Sequence, residues 1–169
     1  MDIDPSKLPY MEVQIQLQIL EHIAQKGPLE GGDLELQRQL EARDHELVQA
    51  KLSQSFDAAP RSKNGADNSE PWRKAAEYSE FHSKAEDIAR RHLRDEADLF
   101  NKRQQDIQKL GSSPELDAVY VGQQKLQASH YDEDRGRYAR EFLRSRELAE
   151  EFDQREKEKT LDLGKDLEP

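Results

Sequence analysis

Four histidines in this 169-residue chain have a carboxylate four positions away. On a helix that spacing places both side chains on the same face, as a metal site requires. The four pairs are Glu41/His45, His82/Glu86, His92/Glu96 and His130/Asp134. The chain carries 36 acidic residues, so chance alone gives most histidines such a neighbour. The Glu-x-x-His spacing of helical di-iron sites is absent. We therefore expect solvated ion pairs, and a metal-dependent helical enzyme is the least favoured alternative.

Arginines cluster in the second half of the chain. Arg137, Arg140 and Arg144 fall on one helical face, with Tyr138 and Phe142 between them. Cations interleaved with aromatic rings can bind RNA or an acidic peptide. The carboxylates around this cluster are Asp132, Glu133, Asp134, Glu141 and Glu147. Because they surround the arginines, and because a net charge of −10 repels phosphate, salt bridges between helices are favoured. Nucleic-acid binding through the arginine faces is kept as the alternative.

Several aromatic side chains are candidates for contact with a partner. Trp72, Tyr78 and Phe81 follow a linker, and Tyr120 follows a predicted turn. Tryptophan and tyrosine are favoured anchors in protein interfaces. For Trp72 we favour packing against a second helical arm near Phe152. The full set of candidate partner-binding residues is Trp72, Tyr78, Phe81, Tyr120, Arg137, Tyr138, Arg140 and Arg144.

Sequence motifs for catalysis are missing. There is no P-loop, no Gly-x-Ser-x-Gly elbow, no dinucleotide-binding glycine motif and no His-Glu-x-x-His. The absence of cysteine excludes disulfides, thiolate catalysis and cysteine-ligated zinc or iron–sulfur sites. We therefore expect a protein that is not an enzyme and that needs no cofactor.

Composition indicates helices with narrow apolar faces. Charged residues make up 37% of the chain, whereas about 25% is typical of a globular domain. No apolar run approaches the roughly 20 residues of a membrane helix, and the first residues lack the basic and apolar regions of a secretory signal. We expect a cytoplasmic protein that has no contact with a membrane.

The first 56 residues predict a pair of helices. Apolar residues within 10–25 alternate with glutamines, which also suits a strand, but one helix accounts for the whole run. We expect it to be the most buried helix of the protein. A second helix over 34–56, with Asp33 as its N-cap, follows two glycines. Residues 57–68 are rich in Pro, Gly, Asn and Ser and predict a flexible linker.

Residues 69–159 predict a long helical hairpin. Ser69 is the expected N-cap of a first arm that runs unbroken to Leu110. The turn at 111–114 combines a glycine suited to the left-handed C′ position with Ser113, an N-cap placed before proline. We expect the second arm to bend or break near 131–136, and residues 160–169 to form an acidic tail.

These patterns predict an all-α protein, an elongated helical bundle with a long antiparallel, coiled-coil-like hairpin and two shorter N-terminal helices. The predicted function is a non-enzymatic helical protein–protein interaction module, such as an adaptor, a scaffold or a small subunit of a larger assembly. Its expected partner is another protein or a second copy of the chain, bound through apolar helix stripes, while nucleic acid is not favoured.

Overall fold

A computed structural model describes residues 4–54 and 67–165 of the chain. Within these ranges it contains a short 3-10 turn, five α-helices and no strand, which confirms the all-α prediction. Most of the predicted linker lies outside the described residues. The helices are α1 (Tyr10–Lys26), α2 (Gly31–Leu52), α3 (Ser69–Ala76), α4 (Ser79–Leu110) and α5 (Pro114–Lys165).

Helices α1 and α2 form an antiparallel pair. Leu8, Val13, Leu20 and Leu40 make its buried core. The helix over 10–25 is thus confirmed, but it is not the most buried one, since α4 has more buried residues. The expected bounds of the second helix are also wrong. It begins at Gly31 and ends at Leu52, so Asp33 lies in its first turn, where its charge still favours the helix N-terminus.

The predicted first arm of the hairpin is broken into α3 and α4 at residues 77 and 78. Ser69 is the first residue of α3 rather than its cap, and Asn68 precedes it. In one straight helix Trp72 and Phe81 would lie about 13 Å apart along the axis. Their ring centroids are 5.4 Å apart, because the break folds α3 back on α4. Contact between these two rings therefore accounts for a break that neither proline nor glycine marks.

The turn between α4 and α5 lies where it was predicted, but Gly111 is the C-cap and its ψ of 167° lies outside the left-handed helical region. Gly111 has φ +79°, and its N–H donates to the carbonyl of Ile107 at 2.9 Å. The Ser113 hydroxyl accepts a hydrogen bond from the Leu116 N–H at 3.1 Å, and α5 begins at Pro114. Local capping groups thus fix the hairpin turn.

Helix α5 is continuous over 52 residues, so the chain does not break near 131–136. Residues 160–165 of the predicted acidic tail are helical, because α5 continues to Lys165. Gly136 is buried in this helix, and the side chain of Asn68 occupies the space that a Cβ atom would need. A glycine that allows this close approach does not interrupt the helix.

The main core lies where α3, α4 and α5 meet. Its buried members are Trp72, Ala75, Phe81, Ala85, Ile88, Tyr131 and Ala139. The α1–α2 pair packs on α4, where Arg90 donates to both oxygens of Asp44 at 2.7 Å. No described helix is both long and apolar enough to cross a lipid bilayer.

Candidate partner-binding groove

An apolar groove of about 660 Å³ lies between the start of α1, the end of α2 and the two arms of the hairpin. Polar side chains also line it, among them Glu12 of α1, Gln54 just beyond the end of α2, Glu96 of α4 and Gln127 of α5. We call it the central groove. Its main apolar lining consists of Met11, Leu93, Ala97, Phe100, Tyr120 and Ala128.

Helix α4 reaches the central groove through a second apolar line. Its first line, which includes Phe81, Ile88 and His92, is buried in the hairpin. Leu93 follows His92 by one residue, which is about 100° around the helix. Leu93 and Phe100 therefore face a different neighbour, and they line the groove.

Phe100 shows that the central groove is open to solvent. Its side chain is 52% exposed, whereas Phe81 on the same helix is 1% exposed. Half of a large aromatic surface thus stays in water next to other apolar groups. Burying that surface under a partner would be favourable by about 25 cal/mol per Å².

Contacts along the edge of the groove hold several polar side chains in place. The Lys51 ammonium forms an ion pair with Glu96, and the Gln127 amide donates to the carbonyl of Asp95 at 2.9 Å. Near the hairpin turn, Arg103 lies 4.4 Å above the ring of Tyr120 and also pairs with Asp117. The groove is therefore largely pre-formed.

Residues 131–140 of α5, here called the anchor segment, hold the neighbouring elements to the hairpin. The Tyr131 hydroxyl donates to the carbonyl of Lys51 at 3.1 Å, and Arg135 donates to that of Gln54 at 3.0 Å. Asn68 donates to Asp132 at 3.0 Å and accepts from Arg140 at 2.5 Å. The end of α2 and the start of α3 are thus held by one stretch of α5.

Cations surround the buried ring of Tyr131. The Lys51 ammonium lies 4.5 Å and the Arg135 guanidinium 4.3 Å from the ring centroid. Burial raises the pKa of the Tyr131 hydroxyl to about 12, so it stays protonated and can donate its hydrogen bond. Burial also lowers the pKa of Arg135. The arrangement stabilises the packing of α2 on the hairpin.

His92 binds a carboxylate on the opposite arm instead of its expected partner Glu96. Its Nε2 lies 2.9 Å from Asp134, which also accepts from Arg91 and Arg137 at 2.9 Å. His92 is only 4% exposed, so the expectation of a solvated pair is wrong here. Burial lowers the pKa of His92, and Asp134 opposes that shift. Within the described ranges no three metal-binding side chains come together.

Two of the candidate partner-binding aromatics lie in the core. Trp72 is 8% exposed and Phe81 is 1% exposed, so neither ring is available on the surface for a partner. Trp72 does share a core with the second arm, but with Tyr131 and Ala139 and not with Phe152, which is 63% exposed. Trp72 packs edge-on against Phe81, and Arg135 lies 5.7 Å from its ring.

The other candidates near the core are half-buried and contact charged neighbours. Tyr78 packs against Phe142 at 5.7 Å, with Arg146 4.1 Å from its ring. Lys84 lies 4.2 Å and Arg137 4.9 Å from the ring of Tyr138. Hydrogen bonding to Arg91 lowers the pKa of the Tyr138 hydroxyl.

Of the three candidate arginines, Arg140 and Arg144 line the same groove on α5 and Arg137 does not. Arg137 forms an ion pair with Asp134, and Arg140 binds Asn68 and the carbonyl of Asp67. Arg144 is exposed beside Glu147 in that groove, which is shallower than the central groove.

Of the eight candidates, Tyr120 alone lines the central groove. The line of Leu93, Ala97 and Phe100 was visible in the sequence beside the main stripe of α4. This second line indicates a separate apolar surface, because its residues cannot face the same neighbour as Phe81 and Ile88.

No protein-family model, curated protein or solved structure matches this chain. Its function therefore has to be inferred from its own surfaces and contacts.

Proposed function

We propose that this chain is a helical protein–protein interaction module and that the central groove receives an amphipathic helix of a partner protein. The observation that carries the proposal is Phe100, half exposed beside Leu93 and Ala97 in a groove with polar edges. An amphipathic helix presents the complementary pattern, an apolar stripe between polar flanks.

A helix suits the central groove better than a small molecule. Pockets for small ligands enclose about 70–90% of the ligand surface. The exposure of Phe100 instead leaves one side of this groove open. A helix can cover that open side with its apolar stripe while its own polar face remains in water.

The arginine faces support nucleic-acid binding less well. Arg91 and Arg137 form ion pairs with Asp134, and Arg103 forms one with Asp117. Phosphate would have to compete with these carboxylates. The protein-binding proposal does not require any existing ion pair to break.

Site-specific cross-linking tests the proposal. A photoreactive phenylalanine analogue at position 100 should cross-link one partner in cells that make the protein. The second substitution Ala97→Arg should abolish that product, because a long charged side chain would fill the groove. The same analogue at Phe152, which is 63% exposed outside the groove lining, is the matched control. Equal products at positions 100 and 152, or products insensitive to Ala97→Arg, would contradict the proposal.

A further inference from the structure

Helix α1 carries an apolar stripe on the side that faces away from the core. Ile15, Ile19 and Ile23 are 49%, 47% and 41% exposed, whereas Val13 and Leu20 are fully or nearly fully buried. The isoleucines are four residues apart, so they follow one another along a single face. We call them the isoleucine stripe. Helices that are apolar on both sides normally have a neighbour on each.

Opposite charges stand at the two ends of the isoleucine stripe. Glu12 and Lys26 are both exposed, and neither forms an ion pair with any residue that the structure describes. Each lies seven residues from Ile19. With about 100° per residue, both fall within the same sector of α1 as the three isoleucines.

We propose that a second copy of this chain packs antiparallel on the isoleucine stripe, with the two-fold axis at Ile19. In this arrangement Ile19 faces Ile19 of the other copy, and Ile15 faces Ile23. Glu12 of each copy then lies beside Lys26 of the other. The surface is therefore self-complementary in both apolar contact and charge, as a two-fold interface requires.

Charge also fixes the direction of the pairing. A parallel pair would place Glu12 against Glu12 and Lys26 against Lys26, and like charges in contact are unfavourable. The residues directly beside the stripe are Gln16 and His22, each three positions from Ile19, and neither is a carboxylate, a lysine or an arginine. The two charged ends therefore select the antiparallel pair.

The size of the stripe predicts a reversible dimer. Stable complexes bury about 800 Å² per partner, and three half-exposed isoleucines with their flanks offer less. We expect dissociation in the micromolar range or weaker. The inference goes beyond the proposed function, because none of the three isoleucines lines the central groove. Glu12 lines both surfaces, so Ile19→Glu is the substitution that separates the dimer from the proposed function.

Sedimentation equilibrium tests the pairing on the full chain. The wild type should change from monomer to dimer as concentration rises through the micromolar range. Ile19→Glu should raise the dissociation constant of the dimer at least tenfold, because it places two carboxylates together at the axis. Leu126→Glu is the matched control, since Leu126 is 54% exposed on α5 and should leave the equilibrium unchanged. Circular dichroism checks that both variants keep their helices.

Charge exchange provides a second test. Glu12→Lys and Lys26→Glu should each weaken the dimer, whereas the double exchange should restore it. Restoration is specific to the antiparallel arrangement, because in a parallel pair the double exchange leaves like charges together.

Engineered cysteines report the register, since the chain has no cysteine of its own. Ile19→Cys should form a disulfide dimer with itself on mild oxidation. Ile15→Cys should cross-link with Ile23→Cys but not with itself.

Two results would overturn the inference. One is a wild type that stays monomeric at several hundred micromolar. The other is a dimer that resists Ile19→Glu. Either result leaves the cross-linking experiment at Phe100 unaffected, so failure of the dimer is distinguishable from failure of the proposed function.

Discussion

The hairpin has two halves of similar charge but very different burial. Near the anchor segment, Phe81, Tyr131 and Ala139 are at most 1% exposed. Toward the turn, Leu110, Val119 and Leu126 are 79%, 58% and 54% exposed. Both halves belong to the same two helices, α4 and α5. The difference is that α2 and α3 pack against the half that contains the anchor segment, here called the anchored half.

Two helices alone can bury only the narrow stripe between them, whereas a third neighbour covers their flanks as well. In the anchored half, α3 supplies Trp72 and α2 supplies Lys51 as neighbours of α5. In the half near the turn, Arg103 of α4 forms an ion pair with Asp117 of α5. The apolar residues of this half stay available for another molecule.

The largest difference in stability is expected between alanine substitutions at two phenylalanines of α4. Phe81→Ala should lower the free energy of unfolding by about 3–5 kcal/mol, because it leaves a cavity beside Trp72 and Phe142. Phe100→Ala should lower it by less than about 1 kcal/mol. Urea denaturation followed by circular dichroism measures both. If Phe81→Ala does not fold, Phe81→Leu should still cost more than Phe100→Ala, and equal costs would refute the contrast.

Replacing two glycines of α5 by alanine should change the stability of the protein in opposite directions. Gly122 has open space where a Cβ would lie, so Gly122→Ala should stabilise the helix by about 1 kcal/mol. At Gly136 the added methyl group would collide with Asn68, which binds Asp132. Gly136→Ala should therefore destabilise the protein by about 1–3 kcal/mol. Thermal unfolding compares the pair, and stabilisation by both substitutions would show that Asn68 is free to move.

Acid should weaken the anchored half through His92. Its folded-state pKa lies below the ordinary 6.5 because of burial, so below that pH the unfolded chain binds more protons. The stability that neutral His92 provides is present above pH 6.5 and is lost as pH falls through the lowered pKa. His92→Gln should reduce the difference in unfolding free energy between pH 7.5 and 5.5. The exposed His130 provides the control, and an equal effect of His130→Gln would remove His92 as the cause.

The smallest effect is expected at the ion pair near the turn. Arg103→Gln should change the free energy of unfolding by no more than about 0.5 kcal/mol, because Asp117 is half exposed. Asp117→Asn should behave alike in the same urea titration. A cost above 1 kcal/mol for either would mean that this half of the hairpin is more tightly held than its burial indicates.

Local chemistry made parts of the fold predictable from sequence. The turn at Gly111 and Ser113 follows from the groups that cap each helix end, and these depend on neighbours in the chain alone. The break before Ser79 and the continuity at Gly136 could not be predicted in this way. The first depends on Trp72 reaching Phe81, and the second on Asn68 reaching Gly136. Both contacts arise only after distant segments have packed.

The candidate site was less predictable than the fold. Tryptophan and tyrosine were chosen as surface anchors from residue type, but the largest aromatics also bury the most apolar area. Trp72 and Phe81 therefore went to the core, and Phe100 was left at the groove. Which of two apolar lines on α4 stays exposed depends on where α2 and α3 end, and the sequence of α4 does not contain that information.

The unbroken length of α5 has a mechanical consequence. Every described side chain from 147 to 164 is exposed, so the last part of this helix extends beyond the other helices that the structure describes. A helix of that length is a stiff rod, and its end lies roughly 28 Å beyond Arg146. A tilt of about 5° at the bundle would move that end by roughly 2.5 Å. Small adjustments among the packed helices would thus be amplified into displacements that a fluorescent pair near Leu163 could register.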